Sequence, residues 1–216
     1  MGLSKYSRAL HLERTLVALG HTKALKALDF VADKMSIENG FQRHDGTDYY
    51  LHLVYVAQDL INHNIKDEDI VTAALLHDAI EDIEGVTRLY LELEYGNDVA
   101  EMVDLVTKEP GVNYHTDTMK MTSYLLAISR NPGAALVKTA DRVHNFSSMR
   151  AATSDDHKRK QVKNTEEAFL PFFKSCRNTY PRYAHYFYAA KYFIEPTMFA
   201  IKEYLEVVDQ LEECQA

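Results

Sequence analysis

The chain has 216 residues, enough for one domain with a sizeable core and with little length left for a second catalytic module. A net charge of −8, with 26% charged residues, argues against a broad polynucleotide surface, because phosphate backbones reward basic faces. No apolar run reaches membrane-spanning length, and the N-terminus lacks the apolar core of a signal peptide. Cys176 and Cys214 lie far apart without a CxxC pair, so the expected setting is the cytoplasm with both thiols free.

Ser4 to about Leu19 reads as a helix, with Ala9, Leu12, Leu16 and Leu19 at helical spacing and Gly20 as its stop. Thr22 caps a second helix to about Ile37. Glu38 to Asp48 is a polar loop carrying the adjacent basic residues Arg43 and His44. Arginine suits bidentate contact with phosphate or stacking on a base. Tyr50 to His63 is a third helix with His52 at its start.

The next helix begins at Asp67 or Glu68 and is apolar from Ala73 to Leu76. It then delivers His77, Asp78, Glu81 and Asp82. If the helix continues, His77 and Glu81 share one face, and Asp78 and Asp82 share the neighbouring one. Buried carboxylates are costly unless paired or bound to a metal, and a divalent cation is the simplest partner for four such groups.

Val86 to Tyr95 and Asp98 to Thr107 are helical, separated by Gly96, and Glu109-Pro110-Gly111 ends the second. A loop from Val112 to Asp117 with His115 leads to a helix over Thr118 to Ser129. Asn131-Pro132-Gly133 starts another, whose apolar body ends at Asp141, with Lys138, Arg142 and Asn145 nearby. Phe146 to Asp156 reads as irregular. His157 to Cys176 is a helix that Pro171 kinks. Arg182 to Glu213 forms one or two long helices, with Pro196 marking a break or kink. The aromatic residues of this last part read as core or subunit interface, which suggests a homo-oligomer through the C-terminal helices. No alternating strand pattern of useful length occurs, so the fold class is all-α.

His52, His77-Asp78 and Asp141 thus form an H…HD…D series, each ligand at the polar margin of an apolar helix. Mixed nitrogen and oxygen donors suit Mn²⁺, Fe²⁺ or Zn²⁺ rather than a thiolate-selected metal.

The segments Arg43–His52, Ala73–Asp82, Tyr95–Ala100, Val103–Lys108 and Lys138–Asn145, followed by Asn164-Thr165, stand in family order. On them the chain resembles the HD-domain phosphohydrolases, specifically the (p)ppGpp hydrolase domain of the RelA/SpoT family and its small stand-alone relatives. The resemblance covers about residues 27–171 and leaves 180–216 as a C-terminal helical extension of a single domain, 1–216. It implies an HD-domain helical bundle binding one divalent metal ion, Mn²⁺, through His52, His77, Asp78 and Asp141. It also implies catalysis by Glu81 and Asp82. Contacts to a small phosphorylated nucleotide would come from Arg43, His44, Lys138, Arg142, Asn145, Ser148, Asn164 and Thr165.

The implied reaction is hydrolysis of the 3′-pyrophosphate of a (p)ppGpp-like nucleotide, with guanine or adenine as the base. An HD-type nucleotidase or phosphomonoesterase, and a nucleotide-binding module without turnover, are the alternatives. Four positions depart from the family pattern: His44 replaces a lysine, Met35 a histidine, Leu53 a proline and Ser148 a threonine.

Overall fold

The computed structural model describes residues 3–43, 46–114, 117–149 and 153–215. Helices are α1 (Leu3–Leu19), α2 (Thr22–Lys34), α3 (Tyr50–Asn62), α4 (Glu68–Leu76), α5 (Ala79–Asp82), α6 (Arg88–Tyr95) and α7 (Asn97–Val106). They continue with α8 (Thr118–Ile128), α9 (Pro132–Ser147), α10 (Asp155–Asn164), α11 (Leu170–Thr179) and α12 (Ala184–Gln215). The fold is all-α. Among the described residues the sole extended pairing is an isolated bridge between Gln42 and Asp48, and no helix is long and apolar enough to cross a membrane.

The chain gathers into two compact units: residues 1–109 with 136–140, and residues 110–135 with 141–216. In the first unit, α4 packs against α2, α3 and α7. Every residue of α4 from Ile70 to Leu76 is buried, which is why this helix is apolar all round rather than striped. Asp67 caps it by accepting the N–H groups of Asp69 and Ile70.

The helix expected to carry His77 and Asp78 near its end stops at Leu76 instead, and α5 begins at Ala79. The His77 ring takes the Ala74 carbonyl through Nδ1 at 2.8 Å. That carbonyl is the acceptor the Asp78 N–H would use in an unbroken ladder. Asp78 adopts φ −101°, ψ 0°, outside the helical well. His77 with Glu81, and Asp78 with Asp82, therefore do not share the faces of one continuous helix.

The segment between α2 and α3 is tightly closed. Asp48 accepts the Ile37 N–H at 2.8 Å and the Tyr6 hydroxyl at 3.1 Å. Gly46 turns the chain at φ 79°, a left-handed conformation that suits glycine.

In the second unit, Asn131 caps α9, with Pro132 at the first helical position. α9 runs on to Ser147, past the point where irregular chain was expected. The helix expected over 157–176 is instead two helices, α10 and α11, joined by a π-helical stretch over Thr165–Phe169. There the Leu170 N–H bonds back to the Thr165 carbonyl, immediately before Pro171, which has no N–H to offer the ladder. Phe169, Phe172, Phe173, Tyr186 and Phe187 are buried together with Cys176. α12 is one uninterrupted helix of 32 residues that passes through Pro196, so the proline does not break it. Its outward side exposes Tyr188, Tyr192, Phe193 and Phe199.

Candidate metal centre

α3 brings His52, and the turn after α4 brings His77 and Asp78, to one place in the first unit. Donor atoms of the three residues lie within 4.8 Å of one another. Both imidazoles are 2% exposed, so neither is bathed by solvent. Asp78 Oδ2 stands 3.2 Å from His77 Nε2 and 3.8 Å from His52 Nε2, and the two rings meet edge to face at 5.2 Å.

A carbonyl only accepts, so the bond to Ala74 puts the His77 proton on Nδ1. In the neutral ring Nε2 then carries the lone pair, turned towards a carboxylate oxygen. Two electron-rich atoms in this arrangement fit a cation held in common. Ligands at about 2.1 Å from one ion stand roughly 3.0 Å apart in octahedral geometry and roughly 3.4 Å apart in tetrahedral geometry. The residues present therefore fit a divalent metal.

Glu81 and Asp82 occupy α5, one turn on. Glu81 Oε1 accepts the main-chain N–H of Lys108 at 2.6 Å, and Oε2 lies 3.5 Å from its ammonium group. Asp82 is at the surface, yet its carboxyl is pushed up to about 6. Partial desolvation does most of this, the charges of Asp78 and Glu81 add to it, and Lys108 and His77 oppose it.

One participant escaped the sequence reading. The Tyr49 hydroxyl donates to Asp78 Oδ2 at 2.8 Å, and the Arg43 guanidinium stands 5.8 Å from the centre of the same tyrosine ring. The sequence signal was a tyrosine three positions before His52, inside a segment that reads simply as apolar. His44 and His115 lie outside the described residues.

Lys138 is buried on the part of α9 that belongs to the first unit. In the second unit, Asp141 is buried and accepts Asn145 Nδ2 at 2.6 Å. Arg142 is buried beside it. Its Nε donates to Thr165 Oγ1 at 3.1 Å, and its terminal nitrogens donate to the Gln161 carbonyl at 2.7 Å, to Gln161 Oε1 and to Thr165 Oγ1. The guanidinium also lies 4.3 Å from the centre of the Phe169 ring. Burial lowers its pKa to about 9, with Asp141 opposing the shift. Two residues expected on the nucleotide, Arg142 and Thr165, are therefore each other's partners. Asn164 is buried beside them in sequence, and Ser148 donates to the Asn145 carbonyl at 3.3 Å.

Residues 27–174 match the family described as HD domain. The chain is 35% identical over 133 residues to the guanosine-3′,5′-bis(diphosphate) 3′-pyrophosphohydrolase of Haemophilus influenzae, covering 60% of this chain and 19% of that protein. It is 27% identical over 173 residues to a probable enzyme of the same description from Synechocystis, covering 78% of this chain and 22% of that one. A solved metazoan ortholog of SpoT, described as hydrolysing ppGpp and playing a role in starvation responses, matches with a TM-score of 0.54 at 25% identity. The match covers 66% of this chain and 85% of that one. The chain spans about a fifth of the length of the curated relatives it matches.

Proposed function

The chain belongs to the HD-domain family, and from that premise we propose that it hydrolyses the 3′-pyrophosphate of (p)ppGpp or a close adenine equivalent. The observation that carries this reading is the convergence of His52, His77 and Asp78 within 4.8 Å, one turn ahead of Glu81 and Asp82. The substrate is supported by the relatives from Haemophilus influenzae and Vibrio cholerae, both named as 3′-pyrophosphohydrolases, and by the metazoan SpoT ortholog.

We assign His52, His77, Asp78 and Asp141 as ligands of one divalent ion, Mn²⁺. Asp141 enters on the family pattern, and its bond from Asn145 orients the carboxylate. When bound, such an ion lowers the pKa of water and offsets phosphate charge.

In the proposed reaction, water attacks the phosphorus attached to the 3′-oxygen and that P–O bond breaks. The 3′-oxygen takes up a proton, the attacking water gives one up, and pyrophosphate leaves with the nucleoside 5′-diphosphate or triphosphate. The Glu81–Asp82 pair handles the proton, with Glu81 held in place by Lys108. Arg43, His44 and Lys138 supply positive charge for the phosphates, and Asn145, Ser148 and Asn164 are assigned to the nucleoside. Arg142 and Thr165, expected on the nucleotide, tie α9 to the π-helical stretch within the second unit.

A reducing, cytoplasmic setting is proposed on the two free cysteines. Self-association through α12 is proposed on its exposed Tyr188, Tyr192 and Phe193. Sedimentation as a strict monomer at micromolar concentration removes that part.

The test is product analysis with Mn²⁺-loaded protein and ppGpp, ppApp or ordinary nucleotides, beside the double variant His77→Ala, Asp78→Ala. Pyrophosphate with GDP or ADP, absent in the variant, upholds the reading and names the base. Orthophosphate released from ordinary monophosphates makes the protein a nucleotidase. Saturable binding without turnover leaves a nucleotide-binding module.

A further inference from the structure

Tyr49 joins three parts of the first unit that the sequence leaves separate. Its hydroxyl donates to Asp78 Oδ2 at 2.8 Å, and that same oxygen faces His77 Nε2 and His52 Nε2. Its ring meets the His52 imidazole edge-on, with centroids 5.7 Å apart. The guanidinium of Arg43 stands 5.8 Å from its centre. The backbone around it is fixed from both sides. The Tyr49 N–H donates to the Phe41 carbonyl at 3.2 Å, and the Tyr49 carbonyl accepts the His52 N–H at 2.8 Å.

We propose that Tyr49 is a positioning residue of the metal centre. Its hydroxyl holds Asp78 Oδ2 in the ligating orientation, and its ring holds Arg43 at the edge of the same site. The proposal rests on the metal-site reading above.

Asp78 Oδ2 has more than one lone pair, so it accepts the phenol on one and still offers another to a cation. The hydrogen bond restricts rotation of the Asp78 side chain, so less conformational freedom remains to be lost when a metal binds. Outer partners of this kind are typically worth about 10–100-fold in metal affinity. Asp78 is the residue before α5, and its side chain makes no capping bond to that helix. Tyr49 bonds the oxygen that faces both imidazoles.

The hydroxyl and the ring have separable consequences. Tyr49→Phe keeps the ring, with its contacts to His52 and Arg43, and removes only the hydrogen bond. Tyr49→Ala removes both.

The experiment is calorimetric titration of EDTA-stripped protein with Mn²⁺, for the natural chain, Tyr49→Phe, Tyr49→Ala and the neighbouring control Tyr50→Phe. Thermal melts of the metal-free proteins report folding. The expected result is a Kd for Mn²⁺ raised about 10–100-fold in Tyr49→Phe and unchanged in Tyr50→Phe, with the metal-free melting temperatures close together. Saturating Mn²⁺ then restores kcat of Tyr49→Phe to within about threefold and leaves KM for the nucleotide unchanged, whereas Tyr49→Ala keeps a raised KM even at saturation. A role in folding alone is not rescued by excess metal. Equal Mn²⁺ affinity in the natural chain and Tyr49→Phe overturns the proposal while the metal-site reading stands. If the natural chain takes up no divalent ion, both fall together.

Discussion

Lys108 holds Glu81 chiefly through its main-chain N–H, 2.6 Å from Oε1, while its ammonium group stays 3.5 Å from Oε2. The bond needs an acceptor oxygen, not a charge, so the two carboxylates of α5 respond differently to amide substitution. Glu81→Gln keeps the acceptor and the local fold, and Glu81→Ala loosens the segment that follows α7. Asp82→Asn removes a proton carrier and leaves the Lys108–Glu81 bond in place. The expected outcome is a fall in kcat of about 10²–10⁴-fold for Asp82→Asn with Mn²⁺ affinity unchanged. Glu81→Ala is expected to lower the melting temperature as well as kcat. Steady-state kinetics beside thermal melts separates the two.

Metal removal is a stability experiment as well as an activity experiment. A ligand that binds only the folded chain adds about 2.7 kcal/mol at a hundredfold excess over its Kd. For a chain of this size that corresponds to a rise of roughly 5–10 °C in melting temperature. Scanning fluorimetry with EDTA and with Mn²⁺ is expected to show that rise in the natural protein. His77→Ala should lose it, and a rise that survives in His77→Ala would place the ion elsewhere.

Arg142 and Thr165 test whether a buried arginine serves substrate or structure. Thr165→Val is close in shape but leaves Arg142 Nε without the oxygen it now meets at 3.1 Å. A buried donor left unsatisfied costs about 1–3 kcal/mol. Chemical denaturation is expected to show that loss, with KM for the nucleotide unchanged. A raised KM with unchanged stability would move Thr165 onto the substrate.

The two thiols should differ sharply. Cys176 is fully buried and desolvation pushes its pKa up to about 12, whereas Cys214 is exposed. At pH 8 the thiolate fraction of Cys176 is on the order of one in 10⁴, and the thiolate is the reactive form. Alkylation is expected to modify Cys214 within minutes and to reach Cys176 only after denaturant is added. Fast labelling of both in the native protein contradicts the burial.

The elements most legible in the sequence were those punctuated by strong local signals. Gly20, Gly96 and Asn131-Pro132 mark real helix boundaries because their preferences act within one or two residues. The break after Leu76 was not legible, since it depends on a side chain, His77, taking a backbone acceptor. The grouping of His52, His77 and Asp78 was legible through the family resemblance, which marks those positions, whereas chain order by itself shows only that each lies at the polar margin of an apolar helix. Arg142 could not, because a cation after an apolar run looks the same whether its partner is a phosphate or Gln161. Tyr49 was hidden for the opposite reason: a tyrosine among apolar neighbours carries no visible charge to account for.

The π-helical stretch over Thr165–Phe169 has a consequence for register. Its wider turn holds one residue more than the i→i−4 pattern, so everything downstream is rotated by about 100° relative to an unbroken α-helix. Deleting Glu166 would let α10 and α11 fuse into one regular helix, with every backbone bond of the turn made. The same deletion keeps Phe172, Phe173 and Cys176 on the face they now bury, because the residue removed is the one the wide turn absorbs. The wide turn is thus what lets the extra residue be carried without emptying the aromatic core of the second unit, which a regular helix of undiminished length would turn outward.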